Sequence, residues 1–119
     1  MQYLLLIYEN ESKFADLTPE QGAQVNRDYM EYTMSIKASG NMRAGDALQP
    51  TSKATTVRVR DGKTHTTDGP FAETREQLGG YYLVEAADLD EAIKLAARIP
   101  SSRWGSIEVR PVVMFTGMP

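Results

Sequence analysis

The residues best suited to chemistry stand in one short stretch near the middle of the chain. Residues 68–74 read DGPFAET, and the two carboxylates Asp68 and Glu73 lie five positions apart. A carboxylate can act as a general base or accept hydrogen bonds from a small polar ligand. We therefore predict that Asp68 and Glu73 project into a pocket as catalytic residues. The alternative is a rigid turn, since Gly69 permits backbone conformations that side chains forbid and Phe71 can anchor the loop in the core.

Four more side chains are candidates for ligand binding. Arg110 carries a fork of donors that suits a ligand carboxylate or one of those two acids, although an ion pair with Glu108 is the alternative. Asp46 follows a glycine, and its carboxylate either binds a ligand or closes a turn. His65 is the sole histidine and is either a proton shuttle or a solvated strand residue. Tyr8 belongs to an aromatic set that lines a cavity or forms core and dimer interface: Tyr8, Tyr29, Tyr32, Tyr81, Tyr82 and Trp104.

Composition argues against several classes of function. One histidine and no cysteine do not suffice for a typical transition-metal site, and we expect neither a metal nor a cofactor. A net charge of -3 argues against nucleic-acid binding. No glycine-rich phosphate loop precedes a helix, and no serine nucleophile elbow is present. The apolar run at residues 3–8 is too short to span a bilayer, so we expect a cytoplasmic protein that does not enter the membrane.

The first half of the chain predicts a strand followed by a long helix. Residues 3–8 are continuously apolar, which is typical of a central strand, and residues 9–16 are polar and predict a loop. Thr18 and Gln21 form a capping box around a proline, and Gly40 ends the helix. The helix presents one apolar face: Val25, Tyr29, Tyr32 and Ile36.

The second half predicts a hairpin, two strands and a second helix. A short strand bends at Gly45, and residues 55–60 and 63–67 form a hairpin around an Asp-Gly turn that sets Arg58 opposite His65. Residues 81–85 are a strand, Asp88 caps a helix, and the last strand contains Pro111, which indicates an edge. The apolar face of the second helix is Leu89, Ala92, Ile93, Ala96 and Ile99.

This order of elements predicts one α+β domain over residues 1–119. Two strand–helix–strand units side by side indicate a ferredoxin-like sandwich, with helices on one face of an antiparallel sheet. The strand residues Tyr3, Leu5, Ile7, Tyr81 and Leu83, or those between them, would leave the other face too apolar for water. We therefore predict a homodimer that covers this face.

Residues 68–100 (DGPFAETREQLGGYYLVEAADLDEAIKLAARIP) and 105–112 (GSIEVRPV) resemble the DGPF subgroup of the YCII-related domain family. The segments MQYLLLIYEN at residues 1–10 and AGDALQP at residues 44–50 also fit. The resemblance implies a dimeric α+β barrel and a bacterial origin. It also implies that some relatives are linked to extracytoplasmic-function sigma factors.

YCII-type relatives outside this subgroup have been suspected of a His–Asp active pair, and the resemblance does not extend to it here. Their histidine lies on the first helix, and alignment on Gly40 places it near Tyr29. His65 lies on the predicted hairpin instead. The His–Asp chemistry is therefore not expected in this chain.

Two functions remain open. The first is a dimeric barrel that binds a small molecule, either with or without cofactor-independent catalysis. This function predicts a pocket that contains at least two of Asp68, Glu73 and Arg110. The second is a non-catalytic regulatory module linked to extracytoplasmic-function sigma factor signalling. It predicts an extra exposed apolar patch and no enclosed polar pocket.

Overall fold

The computed structural model describes residues 1–115 as an α+β structure. Its strands are β1 (Gln2–Glu9), β2 (Met42–Ala47), β3 (Thr55–Arg60), β4 (Lys63–Asp68), β5 (Gln77–Glu85) and β6 (Ser106–Pro111). Its helices are α1 (Glu11–Ala15), α2 (Pro19–Ala38) and α3 (Leu89–Ala97), with 3₁₀ turns at Thr51–Lys53 and Pro100–Arg103. The predicted α+β class with antiparallel sheets is confirmed.

Four strands form one antiparallel sheet in the order β2-β5-β1-β6. This order, with the long helix α2 between β1 and β2 and the helix α3 between β5 and β6, is that of a ferredoxin-like fold. The apolar strand β1 is central as predicted, and β6, which contains Pro111, lies at an edge. β6 ends at Pro111, although the alternation of apolar residues, Ile107, Val109, Pro111 and Val113, predicts a strand that reaches Val113.

The core lies between the sheet and its two longer helices. Residues from alternate positions of β1 and β5 meet residues of α2 and α3, and the buried set is Tyr3, Leu5, Ile7, Tyr32, Ile36, Tyr82, Val84, Ala86, Ala92, Leu95, Ala96 and Ile99. The capping box of α2 is confirmed, because Gln21 N donates to Thr18 Oγ1 (3.1 Å) and Thr18 N donates to Gln21 Oε1 (2.9 Å). Gly40, with φ +81°, ends the helix.

The predicted face of α3 is partly wrong. Asp88 caps this helix as expected, but Leu89 and Ile93 are each 48% exposed. The buried stripe instead combines Ala92, Ala96 and the unpredicted Leu95. The small alanine side chains let the helix approach the sheet closely. The predicted stripe and the buried stripe are both apolar, so periodicity alone could not show which of the two faces the sheet.

Two local predictions in the polar segments need correction. Residues 9–16 are not all loop, because Asn10 caps the short helix α1 by accepting from Ser12 N (3.0 Å). A helix of this length is too short to show a periodic pattern. The bend predicted at Gly45 is also misplaced, because the irregularity of β2 falls between Met42 and Ala44. Gly45 instead allows close packing against Tyr82, since a Cβ at this position would lie 2.8 Å from the Tyr82 ring.

The hairpin of β3 and β4 forms a separate two-stranded sheet with the predicted register. Arg58 pairs with His65, and both residues of the connecting turn have positive φ, 52° at Asp61 and 73° at Gly62. These angles suit a tight hairpin turn. The segment after β4 does not behave as expected, because Phe71 is 79% exposed and does not anchor the loop in the core of its own chain.

Candidate functional site

A cavity of about 950 Å³ lies between the helix side of the sheet and the helices α1 and α2. Its residues come from the end of β1, the end of β2 and the start of β5. The C-terminal half of α2 packs on the sheet through Tyr32 and Ile36, whereas Val25 and Tyr29, nearer its start, face the cavity. Cavities of about 300–1,000 Å³ are typical of small-molecule sites.

A chain of hydrogen bonds joins three elements at this cavity. Ser101 is fully buried, and its Oγ donates to Glu9 Oε2 at 3.0 Å. Trp104 Nε1 donates to the same carboxylate oxygen at 2.8 Å. The Tyr29 hydroxyl lies 2.5 Å from Ser101 Oγ. Because a serine hydroxyl has a single proton, which here goes to Glu9, Tyr29 is the donor to Ser101.

The fold brings these residues together from distant parts of the sequence. Glu9 is the last residue of the central strand β1, next to the β-bulge where β1 and β5 change register. Ser101 lies in the 3₁₀ turn after α3, and Tyr29 lies near the middle of α2. Glu9 and Ser101 were not predicted as site residues, because a carboxylate at a strand end and a serine in a loop are common features of any sequence.

Burial raises the pKa of two tyrosines at the cavity. Desolvation raises the pKa of Tyr29 from 10.0 to about 12, with the nearby Glu9 carboxylate adding to the rise. Tyr29 therefore remains protonated near neutral pH and serves as a donor to Ser101. Burial also raises the pKa of Tyr82, whose hydroxyl lies 2.7 Å from Thr33 Oγ1 in the same cavity wall.

Two more carboxylates line the cavity, and both are engaged. Glu11 accepts from Thr51 N at 2.9 Å and from Thr51 Oγ1 at 2.8 Å, one bond to each oxygen. Asp46 Oδ2 accepts from the Tyr81 hydroxyl at 2.7 Å, and this bond raises the pKa of Tyr81. Asp46 is thus a predicted site residue in the cavity lining, but its carboxylate lies with Tyr81 on the sheet face opposite the helices.

The other predicted site residues lie elsewhere in the chain. Asp68 and Glu73 are exposed and do not line this cavity. Arg110 is also exposed, and its Nη2 lies 3.3 Å from Glu108 Oε2. This contact is the ion pair given above as the alternative to ligand binding. His65 is exposed on the hairpin. The cavity therefore does not contain two of Asp68, Glu73 and Arg110, and their functional roles stay predictions.

Tyr8 is half-buried and also lies outside the cavity lining, so its predicted role in binding likewise stays a prediction. Within residues 1–115, no three histidine, aspartate or glutamate residues lie close enough to hold a metal ion. None of the helices in this part of the chain has both the length and the apolar character needed to cross a membrane.

Comparison with known proteins identifies a family and a relative that this chain resembles. The family model of the YCII-related domain matches residues 1–116. An uncharacterized protein of Rhizobium meliloti (strain 1021) is 38% identical over 117 residues, an alignment that covers 97% of this chain and 94% of the relative. Both similarities extend over the strands and helices that build the cavity.

Proposed function

This chain belongs to the YCII-related domain family, and on that premise we propose that it binds a small organic molecule in the cavity beside Glu9, Tyr29 and Ser101. We assign it to the DGPF subgroup on the DGPF motif at residues 68–71. The proposal concerns binding and not a reaction, because catalysis by Asp68 and Glu73 requires them in a pocket and both are exposed in the single chain.

The observation that carries this proposal is a mostly apolar cavity with an ordered polar group inside it. Ile7, Val25 and Leu48 supply apolar surface, while the Glu9 carboxylate is fixed by two donors. An apolar cavity with a few positioned polar groups is the usual form of a small-molecule site. A carboxylate held in one orientation supports specific recognition, because little of its freedom is lost on binding.

The proposal includes a homodimer formed through the open face of the sheet. The helices pack on the face that carries Leu5 and Ile7, whereas Leu4 and Leu6 are half-buried on the other face. Leu4 pairs with Leu83, so apolar side chains lie next to each other on this face. Sheet residues of this kind are stabilised by contact with a second copy.

A second candidate function is the regulatory module. The exposed apolar side chains Val57, Val59 and Phe71 on the hairpin and the following loop supply the patch that this function predicts. Its other expectation is the absence of an enclosed polar pocket, and the cavity with the fixed carboxylate of Glu9 weighs against it. We therefore place ligand binding first.

The test is a thermal-shift screen of a chemically diverse library of small compounds, with two variants on α2 as a matched pair. Val25→Phe places a larger ring in the cavity wall and narrows the cavity, while Met30→Phe adds a ring at a position that is 65% exposed and outside the cavity lining. A compound present at 100 times its Kd stabilises the folded state by about 2.7 kcal/mol, which raises Tm by several degrees.

We expect compounds that stabilise the unmodified protein and Met30→Phe but not Val25→Phe. A library in which no compound stabilises the unmodified protein contradicts the proposal. Stabilisation that persists fully in Val25→Phe contradicts it as well, because the compound would then bind elsewhere.

A further inference from the structure

We propose that the cavity selects molecules with an apolar body and a hydrogen-bond donor, above all a cationic amine, and that it discriminates against carboxylates. This inference rests on the proposed binding function and adds the chemical class of the ligand. It follows from the charges that line the cavity, from the free oxygen of Glu9, and from the direction of the hydrogen bonds around Ser101.

The charges in the cavity wall have one sign. Glu9 and Glu11 line it, and among the described residues the lining contains no lysine, arginine or histidine. The carboxylate of Asp46 does not count here, because it is bonded to Tyr81 on the opposite face of the sheet. The neighbouring Arg103 is not part of the lining, since it stacks over the Trp104 ring and pairs with Asp28. A carboxylate ligand would meet like charges here without a compensating cation, whereas an ammonium group would be attracted.

One carboxylate oxygen is free to accept a hydrogen bond from a ligand. Glu9 Oε2 already accepts from Ser101 and Trp104, whereas within residues 1–115 Glu9 Oε1 has no hydrogen-bond partner. Oε1 is directed toward Gly79, because a Cβ at Gly79 would lie 3.4 Å from it. Gly79 lines the cavity and has no side chain that could cover Oε1.

The hydrogen bonds around Ser101 leave a second acceptor nearby. The Tyr29 proton is directed to Ser101 Oγ, so the remaining lone pair of the phenol oxygen can only accept. Glu9 Oε1 and the Tyr29 oxygen can thus each accept a hydrogen bond from a ligand, and neither can donate one. An ammonium or amidinium group, which has several donors and a positive charge, suits acceptors of this kind.

The experiment compares three probes with the same phenyl body: 2-phenylethylamine, 2-phenylethanol and phenylacetate. Trp104 is the sole tryptophan, and its indole donates to Glu9, so its fluorescence reports binding at this site. Titrations at pH 7 should give the tightest Kd for the amine, a weaker one for the alcohol, and one at least tenfold weaker than the amine for phenylacetate.

The variant Glu9→Gln keeps the size of the side chain and removes its charge. It should weaken binding of the amine by about tenfold or more and leave the Kd of the alcohol within about threefold. Phenylacetate binding as tightly as the amine, or an unchanged Kd of the amine in Glu9→Gln, overturns this inference and leaves the proposed function intact. If Glu9→Gln does not fold, the ranking of the three probes on the unmodified protein decides alone.

A different outcome separates the inference from the proposed function. A Kd of the amine that is unchanged in Val25→Phe overturns both, since the site is then outside the cavity. If none of the three probes binds while the library screen yields a carboxylate that is lost in Val25→Phe, the inference fails and the proposed function stands.

Discussion

The substitution Ser101→Ala tests the hydrogen-bond chain on which the site depends. It removes a hydroxyl that is fully buried, donates to Glu9 Oε2 at 3.0 Å and accepts from Tyr29 at 2.5 Å. A hydrogen bond to a charged group contributes about 1.5–3 kcal/mol and a neutral one about 1 kcal/mol. Glu9 keeps its bond from Trp104, and both partners border the cavity, where water can replace part of the loss.

These terms together predict that Ser101→Ala lowers the free energy of unfolding by about 2 kcal/mol, which corresponds to a fall in Tm of roughly 8 °C for a domain of this size. The assay is urea denaturation followed by circular dichroism. Ser106→Ala is the matched control, because its Oγ also donates to a carboxylate oxygen, Glu76 Oε1 at 2.7 Å, but on the exposed surface. We expect it to change stability by less than about 0.5 kcal/mol.

A double-mutant cycle with Tyr29→Phe isolates the bond between Tyr29 and Ser101. The two single substitutions should be non-additive by about 0.5–1.5 kcal/mol, since each removes the same hydrogen bond. If Ser101→Ala costs no more than Ser106→Ala, or if the cycle gives a coupling energy of zero within error, the chain described here does not stabilise the folded protein.

Three further predictions concern pH, packing and assembly. The pKa of Tyr29 is about 12 in the folded protein against an ordinary value of 10.0, so the unfolded chain loses this proton first as the pH rises. The free energy of unfolding should therefore fall between pH 10 and pH 12. Urea titrations should show that Tyr29→Phe reduces this fall by about 1 kcal/mol, a value that allows for partial exposure of the ring. Gly105→Ala should lower the free energy of unfolding by roughly 3 kcal/mol, because a Cβ at this position overlaps the Tyr8 carbonyl oxygen. Gly22→Ala should raise it slightly, because Gly22 lies in α2 with open space around it. Equal effects of the two substitutions in denaturation would refute this prediction. Light scattering should give a molar mass of about 26 kDa for the unmodified protein, twice the 13.2 kDa chain, and of about 13 kDa for Leu83→Lys. A monomeric mass for the unmodified protein contradicts the dimer.

Local rules of backbone chemistry explain which parts of the fold could be predicted from sequence. The capping box at Thr18 and the Asp-Gly turn of the hairpin depend on residues within a few positions of each other, and both are confirmed. The face of α3 depends on which of two apolar stripes meets the sheet, a choice made by packing with distant strands. The exposure of Phe71 likewise depends on where its loop runs and not on its own residue type.

The site was less predictable than the fold because its residues are far apart in the chain. Ser101 lies 92 positions from Glu9 and 72 from Tyr29, so no spacing rule connects them. The sequence directed attention to Asp68 and Glu73, where unusual residues cluster, and only Asp46 among the predicted site residues lines the cavity. Tyr29 was expected in an aromatic cavity or a core, and it borders the cavity.

The most direct test of ligand binding in this cavity is a titration of the ¹⁵N-labelled protein, followed by heteronuclear NMR, with the compound that gives the largest thermal shift. Binding in the cavity predicts that the largest chemical-shift changes occur at Glu9, Tyr29, Gly79 and the indole N–H of Trp104, and that they vanish in Val25→Phe. Shifts that concentrate in residues 68–76 while the cavity residues stay unchanged would contradict it.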